Sequence, residues 1–269
     1  CLLREMRWKT IYFTLELSAE QKMLQIFSNI LYKKEGIRIS PTDLKSTRNI
    51  LPDNIVDLIK KYEPYFKKIE ECVVFVDSIR NATGIYKLVR DYALANGKIH
   101  YKNIEINGVL TEVEDYYEPN DPEEYVEIII DHASLIDTEK HKGVQLELHQ
   151  CISLLSSNYL IKLRNRFNYI PILVQQQALA GENIEHRKLN LLKPSPGNLG
   201  DNKLTIRDID VAFGIFSPFK YELGEYLGYD IKRFKDNIRF LEVMVSREDG
   251  IGTICPLYFD GAVNYFKEL

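Results

Sequence analysis

No apolar run in this 269-residue chain approaches the length needed to span a bilayer, and no signal peptide is present, so no membrane association is expected. The four cysteines, Cys1, Cys72, Cys151 and Cys255, show no paired spacing. Cys72 and Cys151 sit in apolar periodic segments, which predicts reduced core thiols in a cytoplasmic protein rather than a disulfide framework. The five histidines lack metal-ligand spacing, and no Cys–His cluster suggests zinc. A G-x-S-x-G elbow is missing, which disfavours a Ser–His–Asp hydrolase. With a formal net charge of -4 there is no global sign of nucleic-acid binding, so any such site must be a local basic patch. No internal repeat or coiled-coil heptad is visible. Also missing is a G-x-x-x-x-G-K-[ST] loop, whose backbone N–H groups and lysine cradle phosphates; Gly97 and Lys98 are followed by Ile99.

What is there reads as an ordinary globular α/β protein, with 45% hydrophobic and 28% charged residues and length for one large domain. Short apolar runs predict strands over 10–17, 72–77, 127–136, 170–174 and 210–216. Helical patterns over 19–33, 54–62, 84–95 and 145–166 separate most of them, the alternation of βαβ units in a mostly parallel sheet. Near the C-terminus, runs at 239–245 and 253–258 flank SREDGIG, which predicts an antiparallel hairpin. Two insertions, at about 98–126 and 178–203, interrupt the plan. The first holds an Asn-Gly turn and an acidic tract and reads as a surface hairpin with a mobile acidic loop. The second ends in LLKPSPGNLGDNK and reads as a long loop.

The densest signal is IYFTLELSAEQ (11–21). An apolar strand ends on Glu16, and Ser18 follows as a helix N-cap with Gln21 placed to close a capping box. Two more strands carry polar residues at their C-terminal ends: Asp131 after Ile128, Ile129 and Ile130, and Gln175, Gln176 and Gln177 after PILV. Parallel strands bring such ends to one edge, where open α/β sheets bind ligands. An acid at a strand end is also a common helix cap or solvated turn residue. An aspartate there can hold Mg²⁺, a nearby glutamate can take a proton from an attacking water, and a glutamine amide can both donate to and accept from a phosphate.

These segments resemble the C-terminal RecA-like ATPase domain of DnaB-type replicative helicases. TLELS (14–18) is similar to that family's FSLEMS strand, and EIIIDHASLI (127–136) to its Walker B strand, with Asp131 at the magnesium position. PILVQQQAL (171–179) is similar to PVIALSQL, which puts Gln177 on the sensor glutamine. CVVFVDSIRNATGIYKLVRDYALAN (72–96), IRDIDVAFGIFSP (206–218) and the terminal FDGAVNYFKEL follow in family order, with wording closest to the phage-like branch. In the family an aromatic usually occupies the position of His132, so a packed ring is expected there.

The resemblance implies a single RecA-like domain over 1–269, ATP and Mg²⁺ as cofactors, and a homo-oligomeric ring, a hexamer, acting on single-stranded DNA with primase or a helicase loader as partner. It implies Glu16 as general base, Asp131 as the metal residue and Gln177 as γ-phosphate sensor. Arg247 is the candidate arginine finger, although VSREDGIG places Ser246 and Glu248 at the family's basic positions, so that a bulge or altered hairpin must re-aim it. DNA contacts are expected from Lys140 and Lys142 in DTEKHKGVQ (137–145) and from Lys203 and Arg207 in GDNKLTIR (200–207). The expected setting is the bacterial cytoplasm, with the protein possible as a phage product. The chain opens on Cys1 in what reads as a helix end, so a fragment or processed product is expected, with the phosphate loop just upstream. A catalytically inactive RecA-like module and a RecA-fold recombination ATPase are the alternatives.

Overall fold

The computed structural model describes residues 7–45, 50–177 and 192–269. In chain order the elements are β1 (Trp8–Thr14), α1 (Ala19–Glu35), α2 (Pro41–Leu44), α3 (Asp53–Cys72), β2 (Val73–Val76), α4 (Ala82–Ala95), β3 (Gly97–Ile106), β4 (Val109–Pro119) and β5 (Tyr125–Asp131). There follow β6 (Lys140–His141), β7 (Val144–Gln145), α5 (Leu148–Ser153), a π-helical stretch (Leu154–Leu160), α6 (Ile161–Phe167) and β8 (Ile170–Leu173). The remainder comprises β9 (Val211–Phe216), β10 (Glu225–Tyr226), β11 (Tyr229–Asp230), α7 (Ile231–Phe234), β12 (Ile238–Ser246), β13 (Ile254–Asp260) and β14 (Tyr265–Glu268). Contacts divide the chain into two compact units, residues 1–16 with 63–175 and residues 17–62 with 176–269.

The first unit is built on a parallel sheet of order β2-β1-β5-β8. Because strand side chains alternate, Ile11, Phe13, Val76, Ile128 and Ile130 share one face and are buried. They join one core with Ile85 and Val89 of α4, Cys151 and Ile152 of α5, and Leu163 of α6. Burial pushes the Cys151 thiol pKa up, as an inert core cysteine requires. The opposite face carries Tyr12, Ile129 and Asp131, and its β8 residues Ile170 and Ile172 are exposed. Thus the polar strand ends lie on the less covered side.

Several expected boundaries move. The strand expected to reach Ile136 stops at Asp131, and Ala133–Leu135 forms a 3₁₀ turn instead. The helix expected over 54–62 continues to Cys72 through Pro64, and the one expected from 145 begins at Leu148, because Val144 and Gln145 pair back as β7. The surface hairpin is present and turns at Asn107 and Gly108 (φ 52° and 80°). Its acidic tract, however, is strand β4 rather than a mobile loop. Asp115 pairs with Lys102 at 2.7 Å, and Glu114 is held by both Arg90 and Arg166, so opposite charges offset the repulsion that suggested a loop.

The second unit carries the antiparallel sheet β14-β13-β12-β9, with the expected C-terminal hairpin as β12–β13. Its core gathers Leu192, Phe216, Ile231, Ile238 and Phe240, with Tyr221 and Tyr226 packed on Phe216. Ser18 and Gln21 make both bonds of the expected capping box at the start of α1. Near the C-terminus Arg38 grips the buried Asp260 through Nε at 2.8 Å and Nη2 at 3.1 Å. Most of the expected loop at 178–203 lies outside the described residues; 192–203 is described and contains a short 3₁₀ turn at Pro196–Asn198.

Candidate nucleotide and nucleic-acid site

Thr14 of β1 lies opposite Asp131 of β5, and the Leu15 amide donates to the Asp131 carbonyl at 2.8 Å. Glu16 and Asp131 therefore leave adjacent parallel strands at the same edge. Asp131 points to the less covered face, where its Oδ2 accepts from the Tyr12 hydroxyl at 2.6 Å. Glu16 is exposed, and no hydrogen bond or ion pair engages its carboxylate among the described residues. Its backbone is nonetheless fixed: Arg80 Nη1 donates to the Leu15 carbonyl at 2.6 Å, so Leu15 is held on both its amide and its carbonyl. The other Arg80 nitrogens reach the Leu135 carbonyl at 3.2 Å and Asp137 at 3.7 Å, which ties the end of β1 to the segment after β5. The Asp131–His132 peptide bond is cis, and the His132 ring is buried, consistent with a packed ring.

The first basic loop is a tight hairpin. Lys140 and His141 pair with Gln145 and Val144, and Lys142 and Gly143 turn at φ 50° and 83°. Lys140 and Lys142 are exposed and unpaired among the described residues. The hairpin sits in the first unit with Glu16 and Asp131.

Gln177, Lys203, Arg207 and Arg247 belong to the second unit. Gln177 forms an isolated antiparallel bridge with Leu199, and the Gly200 amide donates to the Gln176 carbonyl at 2.8 Å, so the glutamine segment and the second basic loop are joined at the base. Lys203 and Arg207 stand exposed on a 3₁₀ turn started by Asn202, whose side chain accepts from the Leu204 amide at 2.8 Å. A bulge at Met244 shifts β12 against β9, which inverts side-chain parity beyond it. Arg247 follows this bulge and contacts the Arg207 carbonyl at 3.1 Å and Asp210 at 3.4 Å.

Among the described residues no group of three acidic, histidine or cysteine side chains could hold a metal by itself. That suits Mg²⁺ all the same, since this ion commonly takes one or two carboxylates and fills its octahedron with water and phosphate oxygens. Asp131 fits that role. The phosphates fit less well, because no glycine-rich cradle exists in these 269 residues. Sequence reasoning missed Tyr12, Arg80 and Glu139. Tyr12 was readable in hindsight, two residues before the β1 position paired with Asp131, whereas Arg80 and Glu139 act through contacts distant in sequence.

Compared with solved structures, the chain aligns over 97% of its length with a DnaB-like replicative helicase, described together with its interactions with primase, at a TM-score of 0.66 and 15% identity. It aligns over 97% of its length with the ATPase domain of a phage helicase at a TM-score of 0.62 and 14% identity. The fold is that of a RecA-like replicative-helicase ATPase domain. The expected α/β class and the DnaB-type likeness are thus both found. The chain spans about half (52%) of the DnaB-like helicase and 75% of the phage ATPase-domain chain. No protein-family description and no curated protein matches the sequence. No helix among the described residues is long and apolar enough to cross a membrane.

Proposed function

We propose that the chain is the motor portion of a DnaB-like replicative helicase, which couples ATP hydrolysis to translocation on single-stranded DNA within a homo-oligomeric ring. The observation that carries this reading is the pairing of Glu16 and Asp131 at one edge of a parallel sheet, inside a helicase-type fold. In this reading Asp131 holds Mg²⁺ with Tyr12 steadying its carboxylate, and the Glu16 carboxylate accepts the proton of the attacking water. Gln177 senses the terminal phosphate, and Arg247 reaches a neighbouring subunit. Lys140, Lys142, Lys203 and Arg207 contact the DNA backbone without reading sequence. A hexameric ring, a primase or loader partner, and a bacterial cytoplasmic setting with possible phage origin belong to the same proposal.

Because these residues supply no phosphate cradle, the motor needs a phosphate-binding loop from additional polypeptide. The lack of that loop favours, as a second reading, an inactive RecA-like module kept for assembly. The test uses the longest natural polypeptide containing this chain, assayed with Mg²⁺ and ATP on a forked duplex. Strand separation dependent on ATP supports the helicase. Hydrolysis with strand exchange but no separation identifies a recombination ATPase, and failure to bind nucleotide identifies the inactive module.

A further inference from the structure

We propose that Glu139 is the positioning residue of the β6–β7 hairpin, holding Lys140 and Lys142 in place for single-stranded DNA by capping helix α4 from outside the helix. The inference rests on the DNA-contact reading of that hairpin. Asn81, the N-cap of α4, makes no capping bond of its own. Instead the Thr83 amide donates to Glu139 Oε1 at 3.0 Å and the Thr83 hydroxyl donates to the same oxygen at 2.9 Å. The Asn81 side-chain amide donates to the other oxygen at 2.5 Å. With its proton given to Glu139, the Thr83 hydroxyl accepts from the Tyr159 hydroxyl at 3.0 Å, and Tyr159 stacks on Tyr86 of α4. Gly84 makes room for this cluster, since a Cβ there would stand 2.6 Å from Asn81 Oδ1.

Glu139 immediately precedes β6, and its own carbonyl accepts from the Leu146 amide at 2.9 Å, closing the hairpin base. The ladder above has only two residue pairs. So short a ladder is not stable alone, and its order must come from the base. Three donors on one carboxylate, at the positive end of a 14-residue helix, supply that order.

Electrostatics and positioning predict opposite signs. A carboxylate beside bound DNA repels it, so its simple removal strengthens binding; loss of the cap frees the hairpin and weakens it. The test measures binding of a fluorescent oligothymidylate to the full chain, with hydrogen exchange of the 140–146 amides. Glu139→Ala is expected to weaken binding about five-fold, the scale of one N-cap, and to speed hairpin exchange. Thr83→Val, which changes no charge, is expected to weaken binding in the same direction, and the double variant to fall short of the sum. Unchanged or tighter binding by both single variants, or unchanged hairpin exchange, overturns the proposal. Should Glu139→Ala fail to fold, Thr83→Val decides by the same criteria. If Lys140→Ala/Lys142→Ala leaves binding intact, the DNA reading itself fails, while the exchange result still judges whether Glu139 orders the hairpin.

Discussion

A single oxygen contact sets Asp131 apart from an ordinary strand-end acid: the Tyr12 hydroxyl at 2.6 Å, donated from the neighbouring strand. Residues that orient a metal ligand from behind are commonly worth about 10-fold or more in metal affinity. Tyr12→Phe is therefore expected to raise the Mg²⁺ concentration for half-maximal ATP turnover roughly 10-fold in a hydrolysing polypeptide, with the fold unchanged by circular dichroism. At the other end of the chain, the Arg38 guanidinium holds the Asp260 carboxyl below its ordinary pKa despite burial. A depressed carboxylate pKa adds stability above the unfolded value and loses it as pH falls through the folded one. Wild type is thus expected to lose stability below about pH 4, and Asp260→Asn to flatten that acid limb. At neutral pH the same variant should cost about 1–2 kcal/mol, reduced because Arg38 is itself largely solvated. Urea melts from pH 3 to 7 check both expectations.

Elements whose signals are local were legible. The Ser18/Gln21 capping box and the Asn107-Gly108 turn depend on neighbours in the chain, and each forms as read. Where distant partners decide, the reading failed. Acidic β4 looks like a loop until Lys102, Arg90 and Arg166 are set beside it. The end of β5 is hidden because Leu135 and Ile136 continue the apolar run, although the chain has already turned into a 3₁₀ segment. The bulge in β12 had one signal, Gly214 in β9, whose missing Cβ leaves room for Pro194 and Met244; a Cβ there would stand 2.7 and 2.8 Å from them. Gly214→Ala is expected to destabilise the chain by about 1–3 kcal/mol, read as a lower thermal midpoint. For the β6–β7 hairpin, Lys140→Ala/Lys142→Ala should reduce the slope of log K against log salt by about 1.4 on single-stranded DNA. Equal slopes for variant and wild type would remove those lysines from the contact set.

On the scale of the whole molecule, the parallel sheet and its polar edge were legible because βαβ alternation and strand-end acids are patterns of sequence order. Glu16 and Asp131 came together through one register, Thr14 opposite Asp131, that the apolar runs already implied. The contributions of Arg80 and Glu139 were not legible, since each depends on how loops close over helix and strand ends. The chemistry assigned to this edge is also the most exposed claim. In the longest natural polypeptide containing these residues, Glu16→Gln should bind Mg·ATP with unchanged affinity and hydrolyse it at least about 100-fold more slowly. Turnover near the wild-type rate, with binding intact, would contradict the assignment of Glu16 as the base.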